Sequence, residues 1–98
     1  MTTTAPDLWP DMDRSTPTAK AWISIWETLD RVGGWLHLAD VIETVGYAHP
    51  DVKRKTLDTL IRRARTARLI ERRGGYSHKT GRDTRMIRRH PATQETAP

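Results

Sequence analysis

Lys55, Asp58, Thr59 and Arg62 recur at spacings of three and four residues, which would place them on one face of an α-helix. Thr66 extends that face, and Arg54, Arg63 and Arg65 stand on its shoulders. As a set these groups donate and accept hydrogen bonds and carry fixed positive charge, which is chemistry for recognising a partner rather than for breaking a bond. Arg73, Lys79, Arg82 and Arg85 continue the positive charge downstream. Residues 51–98 hold fourteen Lys and Arg against five Asp and Glu, a net of +9, whereas residues 1–50 hold three against seven, a net of −4. So strong a split points to an anionic polymer as the partner of the second half, with nucleic acid the leading candidate. The competing account of the helix is a basic face that is merely solvated.

Other chemistries find little support. The chain has no cysteine, which excludes disulfides, thiol nucleophiles and Cys-ligated zinc or iron–sulfur sites. The run GGYSHKTG, residues 74–81, superficially suggests a phosphate loop, but His78 precedes Lys79 where that motif needs glycine, and the setting is a hairpin rather than a strand-to-helix turn. His37, His49, His78 and His90 share no ligand-like spacing, so neither a metal nor a cofactor is expected. No Ser/His/Asp grouping sits in a nucleophile setting, and Asp58 and Glu71 read as charge-paired surface residues. The chain is not expected to be an enzyme.

The elements that must position these side chains follow from periodicity and capping. Thr16 and Pro17 open a first helix whose apolar stripe is Trp22, Ile25, Trp26, Leu29 and Val32, and Gly33-Gly34 ends it. Trp35-Leu36 is a connector or stub strand. A second short helix spans 38–45, with Leu38, Val41, Ile42 and Val45 inward and Gly46 at its close. The basic helix starts near Pro50, with Asp51 at its positive end, and spans 51–67, turning Leu57, Leu60, Ile61, Ala64 and Ala67 to the core. Residues 69–73 and 85–89 read as strands joined by a loop of about eleven residues, 74–84. Trp22, Trp26 and Trp35 are expected in the core, and Tyr76 either packs on the hairpin or reaches outward.

This order resembles the winged helix-turn-helix superfamily. LADVIETVG looks like the first helix and turn of the motif, TLDTLIRRARTARLIERR like a recognition helix running into the first wing strand, and TRMIRR like the returning strand. The likeness covers roughly residues 17–89. The chain departs from the family's pattern at Arg68, where glycine usually precedes the strand's apolar pair, and in the longer link Gly46–His49. The resemblance implies an α+β fold that is mainly α with a small β-hairpin, three helices and a wing. It implies that Lys55, Asp58, Thr59 and Arg62 face bases in the major groove of double-stranded DNA. Arg54, Arg63, Arg65 and Arg73 would then meet phosphates, and Lys79, Arg82 and Arg85 on the wing would reach backbone or minor groove.

The implied function is a sequence-specific DNA-binding protein acting as a small transcriptional regulator. The alternatives are a protein-docking winged helix and an accessory factor in replication, partition or recombination. Residues 1–15 are expected to form a disordered acidic arm, 16–90 the domain and 91–98 a disordered tail. Trp9 in the arm could engage a protein partner, tuck onto the first helix, or compete for the DNA face. Ile23 and the Trp9 region offer at most a weak homodimer surface. No apolar run approaches the roughly 20 residues that span a bilayer, and no signal peptide is evident. A cytoplasmic protein is expected, nucleoid-associated if it comes from a bacterium or phage.

Overall fold

Thr16 holds extended backbone (φ −73°, ψ 150°), its hydroxyl accepts from the Ala19 amide at 3.2 Å, and Pro17 takes the first helical position, where a missing N–H is harmless. From there, in a computed structural model that describes residues 4–91, α1 runs Pro17–Val32. Gly33 closes it at φ 75°, its amide donating to the Leu29 carbonyl at 2.9 Å. Next come β1 (Leu36–His37), α2 (Leu38–Ala48), α3 (Arg54–Thr66), β2 (Ile70–Ser77) and β3 (Arg82–Arg89). The strands form one antiparallel sheet in the order β1-β3-β2, so the protein is an α+β fold of three helices and three strands. That layout is compatible with a winged helix. No helix among the described residues is long and apolar enough to cross a membrane.

The core lies where the helices meet the sheet. Trp22, Ile25, Trp26 and Leu29 are buried as their spacing predicts, but Val32 is 51% exposed because α1 ends there, beyond its neighbours. Val41, Ile42 and Val45 from α2, and Leu57, Leu60, Ile61 and Ala64 from α3, complete the core with Ile70 and Ile87 of the sheet. A buried ion pair ties α1 to β3: Arg89, 6% exposed, donates to Asp30 while its guanidinium lies over the Trp26 ring at 4.4 Å.

Several boundaries differ from expectation for local reasons. Gly46 does not stop α2, which continues to Ala48, and the His49 amide still reaches the Val45 carbonyl at 2.9 Å. Pro50-Asp51 forms a turn instead of a helix start: the Val52 amide donates to the His49 carbonyl at 3.0 Å, and buried Val52 pins the link between α2 and α3. Proline suits the second position of such a turn as well as it suits a first helical turn, and here the turn prevails. α3 therefore begins at Arg54, and Ala67, expected inward, is its exposed C-cap.

The hairpin is longer and its loop shorter than predicted. Gly74 and Gly75 lie within β2, paired with Arg85 and Thr84, and only residues 78–81 form the loop. The Gly81 amide donates to the Ser77 carbonyl at 2.8 Å with Gly81 at φ 67°, the left-handed position that lets a four-residue connection close.

The largest correction concerns the N-terminal segment. Residues 5–15 are not a loose arm, because Ala5, Leu8 and Met12 are buried in the main core. The Trp22 indole donates to the Pro6 carbonyl at 2.8 Å, and Arg14 donates to the Ala5 carbonyl at 2.7 Å and to the Asp7 carboxylate at 2.8 Å. With no Phe in the chain, these three small and medium apolar groups supply core that the helices alone lack. The expected tail 91–98 lies, but for Pro91, outside the described residues, as do residues 1–3.

Candidate nucleic-acid interface

α3 has a strong division of faces. Leu57, Leu60, Ile61 and Ala64 hold one side in the core, which leaves Lys55, Thr59, Arg62 and Thr66 exposed and Asp58 half-buried on the other. The outward face is partly self-paired. The Arg62 guanidinium donates to the Asp58 carboxylate at 3.3 Å, one helical turn away. The Thr59 and Thr66 hydroxyls donate to the carbonyls of Lys55 and Arg62, at 2.9 and 3.2 Å. In that state each threonine presents outward a methyl group and lone pairs, not a donor.

Beside this face, α3 and the sheet enclose a positively charged cleft. Arg62 and Arg65 approach from the helix, Arg72 from β2 and Arg85 from β3, over a floor of Ile61, Ile70 and Ile87, with Asp58 the one carboxylate among the lining residues. Desolvation, then the like charges of Arg65, Arg85 and Arg62, hold the Arg72 guanidinium below its ordinary pKa. It stays charged, since arginine does not deprotonate in proteins. A second cleft, about 510 Å³, continues the band between α2, the start of α3 and β3, where Arg54 and Lys55 stand across from Thr84 and Arg85. Lys79 lies in the exposed loop and Arg82 opens β3 beside it.

Strand parity decides which arginines join the cleft. Side chains alternate between faces, so Arg72 shares the helix-facing side with buried Ile70, whereas Arg73 points to the other side. There the Arg73 and Arg88 guanidiniums lie over the Trp35 ring at 4.3 and 4.5 Å, and Arg88 pairs with Glu71. Arg73 is therefore separated from the band it was expected to join, and Trp35, expected in the core, is a half-buried platform for two cations. Arg63 is also apart, on the far flank of α3, with its guanidinium 5.9 Å from the Trp9 ring centroid. Of the residues singled out from sequence, Arg54, Lys55, Asp58, Arg62, Arg65 and Arg85 come together along the two clefts, with Thr59 on the adjoining face. Arg72 was missed, although counting by twos from Ile70 places it there. Tyr76 is half exposed, its ring edge-on to His78 at 5.2 Å.

Ile23 and Trp9, the surfaces considered for a dimer, both pack against the chain's own core. Comparison with protein-family models, with curated proteins and with solved structures finds no match to this chain.

Proposed function

We propose that this chain binds double-stranded DNA sequence-specifically and acts as a small transcriptional regulator of winged helix-turn-helix type, with α3 in the major groove and the β2–β3 wing along the backbone. The observation that carries the reading is the cleft where Arg62, Arg65, Arg72 and Arg85 converge around a single carboxylate. Four guanidiniums held together repel one another, and a phosphodiester backbone relieves that repulsion while accepting their hydrogen bonds. Beside them the exposed face of α3 supplies the base-reading groups. Arg62 suits guanine, and Thr59, with its proton committed to Lys55, meets a thymine methyl or a base amino group. Asp58 accepts from cytosine and, by neutralising Arg62 in the free protein, keeps that arginine from binding phosphate indiscriminately.

A duplex titration across salt concentrations tests this. With about six phosphates neutralised, log K falls with log salt at a slope near −5. One observation favours protein docking as a second reading: Tyr47 is 91% exposed, on a face of α2 that also bears exposed Asp40 and Glu43 and so repels phosphate. An absence of duplex binding at about 50 mM salt would replace the DNA reading with that one.

A further inference from the structure

The cleft on the far flank of α3 has no role in the reading above. It is about 360 Å³, lined by Trp9, Thr18, Thr56, Thr59, Leu60 and Arg63. We propose that this cleft is a second backbone-binding site, in which Trp9 packs against a deoxyribose and Arg63 with the Thr18 and Thr56 hydroxyls holds the adjoining phosphate of the strand opposite the one at the wing.

The proposal rests on the DNA reading and extends it through three observations. First, Trp9 is placed rather than stray. It is half-buried between two core anchors, Leu8 and Met12, on a segment fastened by the Trp22–Pro6 and Arg14–Ala5 hydrogen bonds at 2.8 and 2.7 Å. Second, the lining is amphipathic in the sense the ligand requires. Trp9 and Leu60 give an apolar floor, to which Thr59 adds its methyl group, and the Arg63 guanidinium with the Thr18 and Thr56 hydroxyls forms a polar rim, matching a unit that is a sugar on one side and an anion on the other. Third, the cleft is continuous with the reading face. Thr59 belongs to both, while Thr56 and Arg63 follow the same flank of α3, and the arginine-lined cleft lies along the opposite flank. A helix in a major groove about 12 Å wide has one strand's backbone on each side, so each flank takes one strand. The acidic groups of the N-terminal segment oppose this only in part, because Asp7 pairs with Arg14 and Asp13 accepts from Ser15, which leaves Asp11 as the exposed carboxylate nearest Trp9 in sequence.

The test uses the full chain and a duplex carrying its selected site, beside a random duplex. Trp9→Ala is expected to weaken both about fivefold with the salt slope unchanged, and Trp9→Phe to retain most of the affinity. Arg63→Ala, at an exposed position, is expected to weaken both and make the slope shallower by about one. Thermal unfolding of each variant separates lost contact from lost fold. Ethylation interference reads the strands directly: phosphates interfere on both borders of the groove, and Arg63→Ala abolishes interference on one strand only. If Arg72→Ala loses affinity while Trp9→Ala and Arg63→Ala bind as the unaltered chain does, the second site is overturned and the DNA reading stands. No duplex binding by the unaltered chain overturns both.

Discussion

Arg72 and Arg73 are adjacent in the chain and belong to two different electrostatic worlds. Arg72 faces α3, where Arg62, Arg65 and Arg85 share its cleft and one carboxylate serves the group. Arg73 faces the other way, over the Trp35 ring, beside Arg88, which meets Trp35 and Glu71; Arg89, on the helix-facing side with Ile87, is matched separately, by Trp26 and Asp30 of α1. The first set is crowded, with one carboxylate, Asp58 on Arg62, among four guanidiniums; the second is consumed by the fold. A net charge of +9 in the second half of the chain therefore overstates what a ligand meets. Charge becomes available for binding where the fold brings like charges together, and the period of a strand decides which ones.

The sharpest way to break the comparison is at the matched set. Asp30 and Arg89 are both largely buried, with side chains 12% and 7% exposed. Removing one member of a buried pair leaves the other's desolvation uncompensated, so Asp30→Ala is expected to destabilise by about 3 kcal/mol in denaturant unfolding. A change under about 0.5 kcal/mol would mean that Arg89 is not consumed by the fold and belongs with the available charges.

Within the crowded set, Arg62→Ala is expected to cost about 1–3 kcal/mol on the preferred site and blur one base pair. Asp58→Asn, which frees Arg62, is expected to tighten binding to random duplex and narrow the gap to the preferred site. If Arg62→Ala weakens preferred and random duplexes equally, α3 is not reading bases. Next in size is the direct contrast of neighbours. Arg72→Ala is expected to weaken every duplex by about tenfold at 0.1 M salt and make the slope shallower by about one. Arg73→Ala should leave the slope alone and reduce stability by about 0.5–1 kcal/mol, the loss of a cation–π contact. Equal salt slopes for the two variants would erase the distinction between the two faces.

How much of this was legible in the sequence depended on the range of the forces involved. Caps and stripes are local, so Thr16, Pro17 and Gly33 bounded α1, and the inward set of α3 was readable down to Ala64. The link at His49–Lys53 was misread because Pro50 fits two local structures equally well, and buried Val52, a tertiary contact, favours one. The N-terminal segment was misread for the same reason. Its buried residues Ala5, Leu8 and Met12 stand three and four residues apart, but Pro6, Asp7, Pro10 and Asp11 interrupt them, and their burial depends on contacts with distant parts of the chain, such as the Trp22 indole donating to Pro6. At the candidate interface, the outward face of α3 is visible from spacing alone. The opposed placement of Arg72 and Arg73 is also encoded, in the two-residue period from Ile70, whereas the extension of β2 through Gly74-Gly75 is not, because it rests on their pairing with Arg85 and Thr84.

The smallest expected effect concerns Arg68, which belongs to neither set. Its amide donates to the Arg65 carbonyl at 3.0 Å, and the Leu69 amide to the Ala64 carbonyl at 2.9 Å, the pair of bonds that caps a helix when the residue after the C-cap is left-handed. Arg68 meets that demand at φ 60°, taking the conformation for which glycine is usual. A side chain there costs roughly 1–2 kcal/mol against its preferred backbone, while glycine would cost roughly 0.5–1 kcal/mol more in chain entropy on folding. The first effect wins, so Arg68→Gly is expected to stabilise the fold by about 0.5–1 kcal/mol, raising the unfolding midpoint in denaturant. The same variant removes one cation, which makes it a test of the comparison as well. A salt slope for duplex binding equal to that of the unaltered chain places Arg68 outside the crowded set, whereas a slope shallower by about one enrols it there and extends the interface around the end of α3.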